Sequence, residues 1–352
     1  MEPQSTPCCS SAPYRGAAPC SCTGPATKPD EIQTTDSVLT SANRLDHFLA
    51  RWGVNRMGHR VEPGLYRLGN PIPESPVFAS ANYTLSFDAL RSALTGVNAY
   101  ILVLDTKGIN VWCAAGKGTF GTEELIRKIE ATRLSDVVTH RRIIVPQLGA
   151  PGISWMEVLR QSGFRVEFGP VRATDLPLYL ETHTATPSMR TVQFPLRDRI
   201  VLVPVELVQV IPWAVVATLV VGFFINWMTA AQVLTAVLAG TVLFPALLPY
   251  IPTKDFTTKG LVLGALVMLP FIWSGSATGM SPSTLAGYAV TSLLVFPPVT
   301  AFLSLNFTGA TTFTSRTGVR NEIFTYMRVM AGMFGVGIVL AAALFVIRTG
   351  VV

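Results

Sequence analysis

The chain has 352 residues, of which 49% are hydrophobic and only 14% charged, a balance too apolar for an ordinary soluble domain of this size. Its formal net charge is +6. No basic stripe interleaved with aromatics accompanies that charge, which argues against a nucleic-acid partner.

In chain order, Met1 to Asp30 mixes Pro, Ser and Cys without the apolar stretch of a signal peptide. Residues 1–60 read as a largely disordered tail. Four of the five cysteines lie there, as Cys8-Cys9 and Cys20-x-Cys22. Paired soft thiolates suit soft metal ions, but the spacing fits no four-ligand zinc or iron–sulfur site. The bland alternative is incidental cysteines in a tail.

Residues 61–190 alternate short apolar runs with helical patterns, which predicts an open, mostly parallel α/β sheet of Rossmann-like type. Strands are expected at Val77–Ala81, Ala99–Leu104, Arg142–Pro146 and Arg165–Phe168. Helices are expected at Phe87–Leu94, near Cys113, at Thr122–Thr132 with Thr122 as N-cap, at Ile153–Ser162 and at Asp175–Tyr179. No G-x-G-x-x-G follows the first strand, so a dinucleotide site is not indicated. Ligands of such sheets bind beyond the carboxyl ends of the strands. Ser80 and Asn82 fall there, as do the turn from Lys107 to Lys117 and the segment Gln147-Leu148-Gly149-Ala150-Pro151-Gly152.

A linker at 191–200 leads to residues 201–352, where charge almost vanishes. Between Arg199 and Lys254 the only charged residue is Glu206, and there is none from Gly260 to Ser315 or from Val329 to Ile347. A span needs about 20 apolar residues, so five membrane helices are predicted: Val201–Phe224, Ala230–Ile251, Gly260–Ser274, Leu285–Leu305 and Val329–Ile347. Lys254 and Lys259 lie between the second and third spans, and Arg316, Arg320 and Arg328 between the fourth and fifth. The positive-inside bias then places the N-terminal head in the cytoplasm of a multi-pass plasma-membrane protein, with its C-terminus outside.

The string Asn110-Val111-Trp112-Cys113-Ala114-Ala115-Gly116-Lys117-Gly118 stands out. Asn110 is a plausible N-cap, which puts Cys113 at the third helical position, at the positive end of the helix dipole and one turn before Lys117. That setting suits the thiolate that ligates metals. Ala114, Ala115 and Gly116 are expected to leave one side bare for a large flat partner. The structural alternative is a buried packing cysteine.

This string resembles the signature N-(V/I)-W-C-A-(A/G)-G-K of the HgcA family, the membrane-bound corrinoid proteins of mercury methylation, related to the corrinoid iron–sulfur proteins of the acetyl-CoA pathway. The resemblance runs from about Pro63 to the C-terminus. It implies that Cys113 is the lower axial ligand of cobalt and the catalytic residue, in a base-off cobalamin or related corrinoid. It further implies that Asn110, Val111, Trp112, Ala114, Ala115, Gly116 and Lys117 flank the corrin. By their position beyond the strands, Ser80 and Asn82 either hydrogen-bond the corrin or simply end a strand, and Gln147, Gly149, Ala150 and Gly152 either cradle the displaced nucleotide tail or form an ordinary strand-to-helix loop. The D-x-H-x-x-G motif of corrinoid proteins with a histidine ligand is missing around His47, His59, His140 and His183.

The function implied is a methyltransferase that passes a methyl group from cobalt to Hg(II), giving methylmercury in an anaerobic cell. A thiolate ligand donates electron density strongly, which aids that transfer. The implied partners are a ferredoxin-like reductant with two 4Fe–4S clusters, a methyl-pterin donor system and membrane lipid. Cys8, Cys9, Cys20 and Cys22 are candidates for Hg(II) capture. Two alternatives stand beside this reading: a corrinoid methyl carrier of one-carbon metabolism, and a non-enzymatic soft-metal sensor or transporter.

Overall fold

The computed structural model describes residues 32–55, 57–309, 311 and 316–349. Cys8, Cys9, Cys20 and Cys22 lie outside these residues. Six strands form one sheet: β1 (Gln33–Thr35), β2 (Gly64–Leu68), β3 (Val77–Ala81), β4 (Ala99–Leu104), β5 (Arg142–Val145) and β6 (Arg165–Phe168). Their spatial order is β1-β2-β4-β3-β5-β6. The pairs β3–β4, β3–β5 and β5–β6 are parallel, and only β2–β4 is antiparallel.

After β3 the chain steps to β4 on one side, then crosses back to β5 on the other. That reversal makes the carboxyl ends of β3 and β5 the topological switch point, where doubly wound sheets open a crevice. Residues alternate between two cores along β3 and β4. Val77, Ala79, Ala81, Leu102 and Leu104 face one, while Phe78, Ala99, Ile101 and Val103 face the other, as the two-residue period of a strand dictates. The first core is covered by α3 (Val111–Lys117), α4 (Thr122–Ala131), α5 (Leu134–Val137) and α6 (Trp155–Ser162). The second is covered by α2 (Thr84–Ala93) and α7 (Leu176–Thr182).

Several sequence expectations change. The fifth apolar helix, read as Val329–Ile347, begins at Arg316, so Arg316, Arg320 and Arg328 lie within it and not in a loop, and the linker read at 191–200 ends in a helix at Leu196–Ile200. The tail assigned to 1–60 is ordered in its last part, because β1 pairs with β2 and a further helix, α1 (Ser41–Arg51), docks on the head. The Arg91 side chain, 7% exposed, ties the two together by binding Asp88 and, at 3.0 Å, Asp36. Gly121, not Thr122, is the N-cap of α4; the Thr122 hydroxyl instead accepts the Ser154 amide proton at 2.8 Å and so joins α4 to the start of α6. The third apolar helix, read from sequence as Gly260–Ser274, runs Phe256–Ala277, since its polar first turn and Pro270 are accommodated within the helix.

Five helices are long and apolar enough to cross a membrane: Leu196–Phe224, Trp227–Leu247, Phe256–Ala277, Pro282–Thr308 and Thr317–Ile347. Gly260 and Gly264, one turn apart, bring the third helix against the fourth. A Cβ there would stand 2.5 Å from Ala301 Cα and 2.6 Å from Pro297 Cα respectively, the small-residue contact by which apolar helices associate. Glu322 ties the fifth helix to the third by accepting from the Thr257 amide (2.5 Å) and hydroxyl (2.9 Å). Head and helices meet where Arg172 pairs with Asp198 at 2.5 Å.

The attachment of α1 to the head is pH-dependent. Asp46 accepts from the Thr84 hydroxyl and from His59, each at 2.7 Å, and the other His59 nitrogen faces the Val54 carbonyl at 2.6 Å. Burial works to lower the His59 pKa, but the bonds to Val54 and Asp46 win and leave it above 6.5. Burial works to raise Asp46, but Thr84 and His59 outweigh it and hold it below 3.8. A raised histidine contributes stability below its unfolded value and loses it as pH rises through the folded one; a lowered aspartate does the reverse on the acid side. Protection of the α1 amides, read as the exchange rate relative to the intrinsic rate at each pH, is therefore expected to be greatest at mildly acidic pH and to fall both well above pH 6.5 and below about pH 3.8.

Candidate functional site

The site grows from the loop after β4. Asn82, 1% exposed, sits just past β3, and its side-chain oxygen accepts from the Thr106 amide at 3.1 Å and the Gly108 amide at 3.0 Å. The Thr106 hydroxyl lies 2.8 Å from the same oxygen. Its amide nitrogen donates to Asp105 Oδ1 at 3.2 Å. Asp105 in turn accepts the Lys107 amide at 3.0 Å, an Asx turn, and its own amide donates to Glu124 at 2.8 Å. Lys107 (φ 58°) and Gly108 (φ 72°) both adopt left-handed backbone to close this turn.

The turn delivers Asn110 as the N-cap of α3, with its Oδ1 accepting from the Cys113 amide at 2.8 Å. Gly118, at φ 83°, ends the helix, a conformation costly for any residue with a Cβ. Seven residues at 100° each divide into two sides. Val111, Ala114 and Ala115 are buried, whereas Trp112, Cys113 and Gly116 are half-buried and Lys117 is exposed. Cys113 is a free thiol.

The sequence expectation of a bare face along Ala114, Ala115 and Gly116 is corrected here. Ala114 (0% exposed) and Ala115 (6%) are covered by the 3₁₀ turn Gln147–Gly152, so a partner reaches the helix from the Trp112, Cys113, Gly116 and Lys117 side. The turn's glycines have a packing reason. A Cβ on Gly149 would stand 2.5 Å from the Phe120 ring, and one on Gly152 would overlap the Phe120 carbonyl and stand 3.2 Å from Ala115 Cα. Gln147 accepts from Arg190 at 2.9 Å, and Ala150 is half-buried.

A cavity of about 300 Å³ opens at the switch point. Asn110, Val111 and Trp112 wall one side, and Ser80 lies at its floor with Ile144 and Pro146. The structure thus brings Ser80 together with the first turn of α3, places Asn82 beneath the loop as its support, and sets Gly149 and Gly152 behind the helix. Sequence reasoning missed Ser86, Ala89, Pro170 and Val171, which line the cavity from α2 and the loop after β6. It also missed Phe120, fully buried against the 3₁₀ turn; its place immediately before the N-cap glycine of α4 was the available signal.

Two substitutions test this scaffold. Asn110→Ala removes the cap and is expected to cost about 1 kcal/mol, read as a lower Tm. Asn82→Ala leaves the buried Thr106 and Gly108 amides without their acceptor and is expected to cost about 2–4 kcal/mol. Faster exchange confined to 105–117 would identify the loop as the part released.

The fold and this site define a doubly wound head, joined to five long apolar helices, in which Asn110, Val111 and Trp112 wall the switch-point crevice and the next residue, Cys113, is a free, half-buried cysteine outside that lining. Residues 54–173 match the family model of the CO dehydrogenase/acetyl-CoA synthase delta subunit. The chain is similar to acetyl-CoA decarbonylase/synthase complex subunit gamma of Archaeoglobus fulgidus, 32% identical over 124 residues, which is 35% of this chain and 26% of that protein. The Methanopyrus kandleri subunit gamma is 34% identical over 128 residues, 36% of this chain and 27% of that protein. The corrinoid/iron-sulfur protein large subunit of Moorella thermoacetica is 27% identical over 129 residues, 36% of this chain and 28% of that protein. The chain spans about a quarter of the length of these curated relatives. The match to the family model covers β2 to β6, the Asn82 support, α3 and the 3₁₀ turn, and ends before the apolar helices.

The donor set fits a corrinoid. No group of three or more His, Cys, Asp or Glu able to hold a metal occurs among the described residues. A corrin ring supplies its own equatorial nitrogens, and one soft axial donor is what Cys113 offers.

Proposed function

We propose that this chain is a membrane-anchored corrinoid protein that carries a methyl group, with Cys113 as the axial ligand of cobalt. The observation that carries the proposal is the free, half-buried Cys113 on a capped helix whose preceding residues, Asn110 to Trp112, wall the switch-point cavity, within residues 54–173 that match the family model. When bound, the corrinoid supplies a cobalt atom that takes up and releases the methyl group. The chain's own residues do the rest. Asn110 fixes the first turn of α3 and so the direction of the Cys113 side chain, Gly116 leaves room one turn away, and Trp112 walls the cavity that Ser80 floors. Asn82 holds the loop, and the Gln147–Gly152 turn backs the helix. Cys113 would hold the cobalt in place of the cofactor's nucleotide base, so a base-off form would be the one bound.

The acceptor favoured by the relatives is one of one-carbon metabolism, reached as a methyl carrier of the acetyl-CoA pathway type. A second reading is favoured by one observation, the unbroken string Asn110 to Gly118: transfer to Hg(II) as substrate, giving methylmercury. In both readings the donor is a methyl-pterin system, the reductant a ferredoxin-like protein with two 4Fe–4S clusters, and the five apolar helices span the plasma membrane with the head cytoplasmic. Cys8, Cys9, Cys20 and Cys22 capture Hg(II) in the second reading only.

The test is a visible absorption spectrum of the anaerobically purified full chain, followed by methyl transfer from the loaded protein to Hg(II) and to an acetyl-CoA-synthase-type acceptor in parallel. Corrinoid bands and turnover on either acceptor support the proposal, and the faster acceptor decides between the readings. A chain that binds no corrinoid is the metal sensor or transporter instead.

A further inference from the structure

A second cleft, of about 490 Å³, lies away from α3, between α1 of the head and the start of the first apolar helix. Arg44, His47, Phe48, Arg51 and Trp52 line it from α1, and Ile200, Val201 and Pro204 from the other side. His47 is committed to Asp88 at 2.7 Å. Neither Arg44 nor Arg51 forms an ion pair among the described residues, and the lining contains no carboxylate. Asp198, the acid nearest before Ile200 in sequence, is engaged by Arg172.

The face of α1 that turns away from the head carries exposed apolar side chains beside Arg44 and Arg51. Leu45 and Phe48 are 58% and 56% exposed, Val54 and Met57 after the helix are 51% and 55%, and Leu196 and Ile200 opposite are 50% and 47%. Phe48 and Trp52 stack with ring centroids 5.8 Å apart. The first apolar span covers 29 residues, a short helix at Leu196–Ile200 followed after a turn by Val203–Phe224; the long helix alone is about 33 Å at 1.5 Å per residue, against roughly 30 Å of hydrocarbon. Its far end turns at Asn226 straight into the next helix. The surplus, with the short helix, therefore falls at the head end, which sets Leu196 to Pro204 at headgroup depth.

We propose that this cleft binds the headgroup of an anionic phospholipid, with Arg44 and Arg51 on the phosphate and Phe48, Trp52, Ile200 and Val201 against the glycerol and first acyl carbons. Leu45, Val54 and Met57 then enter the interface beside it, so α1 lies on the membrane surface as an amphipathic helix does. The bound lipid fastens the head at a fixed height above the span. The inference rests on the first apolar helix crossing the membrane and on no property of the corrinoid site.

The full chain in mild detergent is titrated with short-chain phosphatidylglycerol, phosphatidylcholine or inorganic phosphate, and binding is read by native mass spectrometry and by the shift in Tm. Phosphatidylglycerol is expected to remain bound and to raise Tm, while phosphatidylcholine and phosphate do neither. The double variant Arg44→Gln/Arg51→Gln is expected to bind phosphatidylglycerol roughly thirtyfold more weakly, about fivefold per arginine, with its lipid-free Tm unchanged; Arg44→Lys/Arg51→Lys restores most of it. Equal binding of both lipids, an undiminished affinity in the double variant, or an equal response to phosphate would overturn the proposal. Corrinoid absorbance, read on the same samples, separates a failure here from a failure at Cys113.

Discussion

Replacing Cys113 by alanine is expected to lower methyl transfer by at least a hundredfold while leaving the fold in place. Partners of a metal ligand, one layer removed, cost about 10–100-fold when mutated, so removal of the ligand itself falls at or beyond the upper end. The fold survives because the side chain is half-buried and only the Cys113 backbone is used in capping, its amide donating to Asn110. A truncation at such a position changes stability by about 0.5–1 kcal/mol. The informative comparison is transfer rate against Tm: the first collapses and the second barely moves. Cys113→Ser, which keeps the shape and loses the soft donor, is expected to follow alanine. A variant that retained near-normal transfer would show that sulfur is not required.

The second large effect is expected at a residue that touches no ligand. Gly152→Ala places a Cβ onto the Phe120 carbonyl and against Ala115, both backbone neighbours that cannot swing aside. Overpacking of this kind costs about 1–3 kcal/mol, and relief comes only by moving the 3₁₀ turn away from α3. Tm is expected to fall by several degrees, with corrinoid loading weakened about tenfold because the helix loses its backing. Gly163→Ala is the control. Gly163 has φ 75° and open space around it, so its alanine variant pays backbone strain of about 1 kcal/mol with loading unchanged. Equal losses of loading in the two variants would make the Gly152 effect one of general stability.

Most of the sheet was legible because its parallel strands are buried on both faces and read as continuous apolar runs; Ala99–Leu104 is fully buried along its length. β1 and β2 were not. Gln33–Thr35 is three polar residues, and Gly64–Leu68 opens on a glycine and includes an exposed arginine, so neither carries the hydrophobic period that marks a strand. What orders them is tertiary: pairing at the sheet edge and the Arg91 bridge to Asp36. The apolar helices were legible from length and the absence of charge alone.

At the site, the start of α3 followed from Asn110, but its end at Gly118 and the side it offers did not. Small residues at Ala114 and Ala115 are equally consistent with an open platform and with a close backbone approach, and only the position of the Gln147–Gly152 turn decides for the second. Asn82 carries the same lesson. An asparagine at a strand end reads as a ligand contact, yet its hydrogen-bonding groups are spent on the loop that aims Cys113.

The central claim is the bond from Cys113 sulfur to cobalt, and X-ray absorption at the cobalt edge of the loaded full chain measures it directly. The account predicts one sulfur scatterer at bonding distance in the wild type that disappears in Cys113→Ala. A wild-type spectrum fitted by nitrogen and oxygen neighbours alone, or a sulfur contribution that persists in the variant, would contradict it.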